Sequence, residues 1–249
     1  AFNELKIIVQ HLIDRNYRGE IDSSQSFNEQ VIKLAYLYRE RLILLVANWM
    51  RVGYCQGNFN SDNCAAGGFT LDYGPFGFCE LFDPRFQPWT GGGEHFSFFN
   101  QPFAAEINFK MFCSSLLPLL LENKEDIEKL EKIKNDFSKL MSKEMQLMWA
   151  KKLGLEKYDE NLTNELFNLM VKSKADYSIF FRKLSHIPDN ISSLKESFYL
   201  PSTEGLDEKW LIWLKKWHDC IKKEGNFKEI SKSMKKVNPK FTWREWMIV

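Results

Sequence analysis

The strongest constraint on the fold is a glycine-rich segment without basic residues that lies between helical stretches. Nine of the 13 glycines fall between residues 53 and 93, and 12 of the 21 phenylalanines fall between residues 59 and 112. Residues 52–84 contain no Lys or Arg, but they do contain Asp62, Asp72, Glu80 and Asp83. Glycine permits turns and close backbone approach, and a divalent cation can neutralise acids that have no basic neighbours. The segment predicts a loop-rich site in an otherwise helical protein.

Helical periodicity is the main pattern on both sides of this segment. Residues 1–17 place an apolar face at helical spacing, with Ile8 and Val9 on it. Ser26 and Glu29 form a capping-box pattern that predicts a helix to about Val52, where Gly53 is typical of a helix end. Further helices are predicted over residues 104–122 (with Pro118 as a kink or boundary), 124–152, 162–172, 177–184 and 208–223.

The fold class predicted from these patterns is mostly α (α+β), with one short β element. Phe69–Leu71 is predicted to be a short strand that delivers Asp72 to a turn. Trp210, Trp213 and Trp217 follow one another at helical spacing, which predicts a buried stripe rather than a ligand platform. Together these patterns predict a helical core built around the loop-rich site.

The two parts of the chain differ in charge. Residues 1–122 carry 9 basic and 13 acidic residues, whereas residues 123–249 carry 25 and 20. We interpret the first part as the core that holds the catalytic segment, residues 53–103. The second part is interpreted as a helical extension packed on that core.

Composition excludes several classes of function. The 34 basic and 33 acidic residues give a net charge of +1, which provides no field for nucleic acid or an anionic membrane. No run of 18 apolar residues predicts a membrane span. The five cysteines form no CxxC pair, so a structural zinc site is not indicated. Odd, sparse thiols favour an intracellular reducing compartment, and both cytoplasm and mitochondrion stay open, as does the oligomeric state.

Three polar residues in the segment are candidates for chemistry: Asp62, Asn63 and Asp72. A carboxylate and an amide oxygen suit Mg²⁺, which prefers few protein oxygens together with phosphates and waters. The order of an Asp, an Asn, a short strand and an Asp-aromatic-Gly turn is similar to the order of parts in protein kinases. The spacing differs from theirs, so a polar turn in a loop-rich domain remains an alternative. An EF-hand is excluded because Asn63 and Phe69 occupy the positions that need Gly and Glu.

The segment resembles the signature of the selenoprotein O (SelO/YdiU) family, whose members typically read HG-x-x-NTDN followed by TIDYGP. Here residues 56–63 read QGNFNSDN and residues 68–78 read GFTLDYGPFGF. The likeness continues in order along nearly the whole chain, through Phe82–Pro84, Phe96–Phe98, Asn100–Pro102, Glu165–Met170, Asp176–Ser185 and Asn238–Phe241 with Arg244.

The resemblance implies a kinase-like fold, of which this chain would be the C-terminal lobe with a helical extension. It implies transfer of AMP from ATP to Ser, Thr or Tyr hydroxyls of proteins, dependent on Mg²⁺ or Mn²⁺. Asp62 would accept the hydroxyl proton. Asn63 and Asp72 would bind the metal, through which Asp72 would also approach the ATP phosphates.

The sequence departs from the family pattern in two kinds of feature. Gln56 replaces the histidine before the motif glycine, so we expect any role of that imidazole to be lost, and Glu94 stands where the family carries Arg. The glycine-rich loop and the phosphate-pairing Lys of kinase-like enzymes have no counterpart in this sequence. We therefore expect a partial chain that lacks the N-terminal lobe, starts inside a longer protein and is inactive alone, with the remaining ATP contacts in the missing part. A non-catalytic pseudokinase-like interaction module and a conventional kinase-like phosphotransferase remain alternatives.

Overall fold

The computed structural model describes residues 2–89, 91, 93–201 and 203–247. Helices dominate, as the sequence predicts. Their bounds are α1 Phe2–Asn16, α2 Phe27–Val52, α3 Gln101–Leu116, α4 Lys124–Asn135, α5 Phe137–Leu153, α6 Glu160–Ser173, α7 Tyr177–Leu184, α8 Ser192–Lys195, α9 Glu204–Glu224 and α10 Phe227–Val237. In the described residues the only sheet has two antiparallel strands, β1 Tyr54–Cys55 and β2 Gly77–Phe78.

The long helix α2 leads directly into the glycine-rich segment, and its two ends confirm the sequence prediction. Ser26 and Glu29 form the expected capping box, in which each side chain bonds the backbone N–H of the other residue. Gly53 ends the helix in a left-handed conformation with φ 82°. A Cβ atom at that position would lie 2.9 Å from the ring of Tyr177, so both conformation and space require glycine. The chain therefore leaves α2 in one fixed direction.

Two expectations about helices are corrected by the structure. Residues 124–152 do not form one helix, because the chain breaks at Asp136 into α4 and α5. Phe137, directly after the break, is fully buried, and its ring stacks on Phe109 of α3 at 4.9 Å. In α1, Val9 is buried as predicted, but Ile8 is largely exposed.

The remaining helix predictions agree with the structure within a few residues. The predicted helix 104–122 begins earlier, at Gln101, and changes to a 3₁₀ turn at Leu117–Leu119, so Pro118 marks a boundary. The strand predicted at Phe69–Leu71 is wrong, because only an isolated bridge at Thr70 forms there. The sequence patterns gave no prediction for α8 or α10.

One hydrophobic core extends from α1 to α10. The tryptophan stripe of α9 belongs to it, as predicted, and each indole N–H donates to a polar atom of another segment. Trp210 bonds Ser173 Oγ at 2.8 Å, Trp213 bonds Leu162 O at 2.9 Å and Trp217 bonds Leu153 O at 2.8 Å. Buried indoles with satisfied N–H groups are typical of packing rather than ligand binding. The division at residue 122 stays a prediction.

The five cysteines are free thiols, and three of them are buried. Burial raises the pKa of Cys55, Cys79 and Cys113 to about 12 in each case. These thiols are therefore protonated near neutral pH and act as small apolar groups in the core. Within the described part of the chain, no helix is both long enough and apolar enough to cross a membrane.

Candidate active site

The candidate residues lie on one closed loop, residues 56–76, whose ends are joined by β1 and β2. Tyr54 pairs with Phe78 and Cys55 with Gly77. Further along, an antiparallel bridge between Cys64 and Thr70 joins the two branches of the loop again. The branch that carries Asp62 and Asn63 and the branch that carries Asp72 therefore run between the same two cross-links. The fold brings the three predicted residues onto facing branches of this loop.

Asp62 and Asn63 lie on a single 3₁₀ turn, Ser61–Asn63. Asp62 is exposed, and its carboxylate makes no hydrogen bond or ion pair with any described residue. The Nδ2 of Asn63 donates to the carbonyl of Asn58 at 2.9 Å, which holds the side chain against its own branch. Asn63 thus keeps its amide oxygen as an acceptor. A carboxylate not engaged with the protein can accept a proton from a ligand.

Asp72 is half-buried on the opposite branch, at the start of the Asp-Tyr-Gly-Pro turn. Its Oδ1 accepts the backbone N–H of Gly74 at 2.9 Å, which fixes the carboxyl plane and leaves Oδ2 without a protein donor. The neighbouring Tyr73 is exposed and packs edge-on against Phe76. Asp72 is therefore held by its own turn, with one oxygen available for a cation.

Gln56 makes contacts across the loop that the sequence did not predict. It is fully buried and links the two branches, since its Nε2 donates to the carbonyl of Asp72 at 2.7 Å. Its Oε1 accepts the hydroxyl of Tyr54, and its backbone N–H donates to Oε1 of Gln101 at 2.9 Å. The expectation that the role of the family's imidazole is lost stays a prediction, and the amide makes contacts of its own. An amide can donate and accept at once, as a neutral imidazole can.

The two branches of the loop pack closely against each other at Gly57. Its φ is 70°, and a Cβ there would lie 1.9 Å from the carbonyl oxygen of Pro75 and 2.9 Å from Cγ of Pro88. Any side chain at this position would separate the two branches. Behind the loop, Trp49 donates to Oγ1 of Thr70 at 2.9 Å, and Asn108 donates to the carbonyl of buried Phe59 at 2.9 Å. The helices α2 and α3 therefore hold the loop from behind.

The oxygens of the loop fit a divalent cation of the Mg²⁺ type. Asn63 and Asp72 each offer one oxygen without a protein donor, and Oδ1 of Asn58 is buried without any hydrogen-bond partner. Sequence reasoning did not single out Asn58. Among the described residues no group of three or more His, Cys, Asp or Glu side chains can hold a metal. Few protein oxygens suit Mg²⁺, which completes its octahedron with phosphate oxygens and water.

Comparison with known proteins decides the family. Residues 2–249 match the profile of the family described as "Protein adenylyltransferase SelO". The chain belongs to the SelO family. Curated relatives named "Protein nucleotidyltransferase YdiU" include that of Variovorax paradoxus, 32% identical over 97% of this chain and 48% of the relative. The relative from Flavobacterium johnsoniae is 30% identical over 99% of the chain and 49% of the relative, and that from Aromatoleum aromaticum 31% over 84% and 41%.

The family is described as a protein adenylyltransferase, and the curated relatives are named protein nucleotidyltransferases. The chain spans about half the length of the curated relatives it matches. The closed loop of residues 56–76 lies within the region that matches the family.

Proposed function

We propose that this chain forms the metal-binding part of a protein adenylyltransferase, which transfers AMP from ATP to Ser, Thr or Tyr hydroxyls of other proteins. The observation that carries the proposal is the closed loop, which places Asp62 and Asn63 on one branch and Asp72 on the facing one. Family membership supports the same chemistry.

In the proposed reaction, Asp62 accepts the proton of the acceptor hydroxyl. The hydroxyl oxygen attacks the α-phosphorus of ATP, a new P–O bond forms, and the bond to the bridging oxygen breaks so that pyrophosphate leaves. The carboxylate of Asp62 suits this role because it is exposed and makes no contact with a protein donor in the described residues. Because Gln56 binds the backbone of Asp72, the two branches keep a fixed separation during the reaction.

Mg²⁺, or Mn²⁺ in its place, would be held by Asn63 and Asp72, with the oxygen of Asn58 beside them. When bound, such an ion neutralises phosphate charge and orients the nucleotide. The protein contributes the geometry of its ligands, since the bond from Gly74 fixes the carboxyl plane of Asp72. Asp72 would also contact the ATP phosphates through the ion.

We also propose that the mainly helical fold is the C-terminal lobe of a kinase-like protein. Half of each relative lies outside the match, and that half would supply the glycine-rich loop, the phosphate-pairing Lys and the other ATP contacts. Alone, this chain would then be inactive. The free thiols favour an intracellular reducing compartment.

Labelling with ATP that carries a radioactive α-phosphate tests this function, using the longest natural form of the protein that contains this chain. Protein labelling in the presence of Mg²⁺ is expected. Asp72→Ala and Asp62→Asn should each lower it by about two orders of magnitude or more, since positioned acid–base and metal groups contribute on that scale. Asp189→Asn, at an exposed position outside the loop, is the control. Undiminished labelling by Asp72→Ala would refute the metal assignment.

The mass of the labelled acceptor separates the alternatives. Addition of AMP supports the proposed function, whereas addition of phosphate alone would indicate a conventional phosphotransferase. If neither product forms while the protein still binds partners, the pseudokinase-like module would be the better description.

A further inference from the structure

Beside the candidate active site lies a cavity of about 730 Å³ that has no role in the reaction described above. Its walls are formed by Phe76, Phe78, Phe86, Pro88, Tyr199 and Trp243, together with polar residues that include Glu80, Asp83 and Arg244. Its volume lies within the range of ligand pockets, roughly 300–1,000 Å³. Its lining combines aromatic rings with acidic side chains.

The charge of this cavity is negative. Glu80 and Asp83 lie in its wall, and Arg244 is the one basic residue among its lining residues in the described part of the chain. Arg244 forms an ion pair with the buried carboxylate of Asp176 at 2.8 Å and a longer one with Glu80 at 3.8 Å. The two acids and the one base of the lining give it a net charge of −1.

Hydrogen bonds hold both acids in place, and in the described residues Asp83 has no ion-pair partner. The hydroxyl of Tyr199 donates to Glu80 Oε1 at 2.6 Å. Asp83 accepts the backbone N–H of Arg85 at 2.8 Å, and its side chain is exposed. In the described residues the guanidinium of Arg85 makes no ion pair with Asp83. Fixed carboxylates beside exposed aromatic faces are a favourable environment for a cation.

The cavity also lies close to the candidate active site. Phe76, in its wall, is four residues from Asp72, so their Cα atoms are at most about 14 Å apart even for a fully extended chain. Gly77 and Phe78, also in the wall, pair with the strand that precedes Gln56. The cavity therefore adjoins the branch of the loop that carries Asp72.

From these observations we propose that the cavity binds a Lys or Arg side chain of the acceptor protein, a few residues from the modified hydroxyl. The proposal rests on the proposed function and adds the class of substrate. The apolar stem of the side chain packs against Phe86 and Pro88. Its charged end lies between Glu80, Asp83 and the faces of Tyr199 and Trp243.

Peptide binding to the 249-residue chain tests this without nucleotide. Two fluorescent Gly/Ala peptides carry one Ser and, a few residues away, either Lys or its neutral analogue norleucine, and fluorescence anisotropy gives the affinities. The Lys peptide is expected to bind about tenfold more tightly, the scale of a desolvated cation over aromatic rings beside carboxylates. Equal affinities would overturn the proposal.

Two variants test whether Asp83 and Glu80 cause the preference for the Lys peptide. Asp83→Asn keeps the acceptor for the Arg85 N–H and removes the charge, and Glu80→Gln does the same beside Tyr199; each should abolish most of the preference for Lys. The control Asp189→Asn should leave it intact, and circular dichroism confirms folding of each variant. A preference that survives Asp83→Asn would overturn the assignment even if Glu80→Gln fails to fold.

The result of the peptide-binding experiment can be distinguished from the result of the labelling experiment. A Lys preference in this chain, together with no AMP transfer by the longest natural form of the protein, supports the cavity and refutes the proposed function. AMP transfer to peptides with and without Lys at equal rates refutes the cavity and leaves the proposed function intact.

Discussion

Gln56 shows how one side chain can control the geometry of the whole loop. It is buried, donates to the carbonyl of Asp72 and accepts the hydroxyl of Tyr54. Replacing it with an apolar side chain would leave both partners buried and unsatisfied. An unpaired buried polar group costs about 1–3 kcal/mol. Gln56 therefore contributes both to the stability of the fold and to the position of Asp72.

Gln56→Leu is accordingly expected to lower the free energy of unfolding by about 1–3 kcal/mol, measured by urea denaturation. Gln56→His should lose less, because a neutral imidazole can donate and accept. Gln146→Leu, on the exposed face of α5, is the matched control and should change little. A Gln56→Leu variant as stable as the Gln146→Leu variant would contradict the role given to this amide.

The candidate residues themselves were predictable from the sequence, but their supporting contacts were not. Asp62, Asn63 and Asp72 were found because acids without basic neighbours and a recognisable order of residues are visible along the chain. The contacts of Gln56 and the unpaired oxygen of Asn58 depend on which segments fold back on each other. Such contacts between distant segments produce no local periodicity in the sequence from which they could be predicted.

At the scale of elements, the start of α2 is fixed by a local signal that the sequence shows fully. Ser26 and Glu29 cap the helix, and the helix delivers the chain to the candidate active site. Ser26→Ala is expected to cost about 0.5–2 kcal/mol of unfolding free energy, the usual range for loss of an N-cap. Ser23→Ala, at an exposed position just outside the helix, is the control for chemical denaturation. Equal stability of the two variants would show that the cap contributes nothing.

The other end of α2, which Gly53 terminates, is also contacted by Lys152 of α5, and no local signal predicts this contact. Lys152 is fully buried, donates to the carbonyl of Arg51 at 2.8 Å, and lies over the ring of Phe181 at 4.0 Å. No acid forms an ion pair with it in the described part of the chain. Burial, reinforced by the charge of Arg51, holds the pKa of Lys152 well below its ordinary value of 10.5.

The lowered pKa of Lys152 makes the free energy of unfolding depend on pH. Between the lowered folded-state pKa and the ordinary unfolded-state pKa, the unfolded chain binds more protons at Lys152 than the folded chain does. Stability contributed by this group therefore rises with pH across that window. The unfolding free energy of the wild type minus that of Lys152→Met is expected to increase as the pH rises towards 10.5. Lys151→Met, one residue away and exposed, is the control, and a difference that stays flat with pH would contradict the prediction.

At the scale of the whole molecule, the two parts of the chain are joined by polar links as well as by the core. Within the second part, Asn238, directly after α10, is fully buried and donates to Lys152 O and Ser185 Oγ, each at 2.9 Å. Lys152 in turn reaches the first part, since its Nζ donates to Arg51 O of α2 at 2.8 Å. Arg51, near the end of α2, donates to Val237 O at 2.8 Å. The mainly helical class was predictable because periodicity is local, whereas these links join residues far apart in the sequence.

These links predict that the helices before and after residue 122 unfold together. Segment-resolved hydrogen exchange is expected to give α2 and α9 the same opening free energy, because one core and buried polar contacts connect them. Asn238→Ala should lower that free energy in both helices by about 1–3 kcal/mol, since it leaves buried polar partners unsatisfied. Lys240→Ala, nearby but partly exposed, is the control. If Asn238→Ala lowered protection in α9 and left α2 unchanged, the two parts would be separate folding units, and the orientation of the candidate active site would not depend on the C-terminal helices.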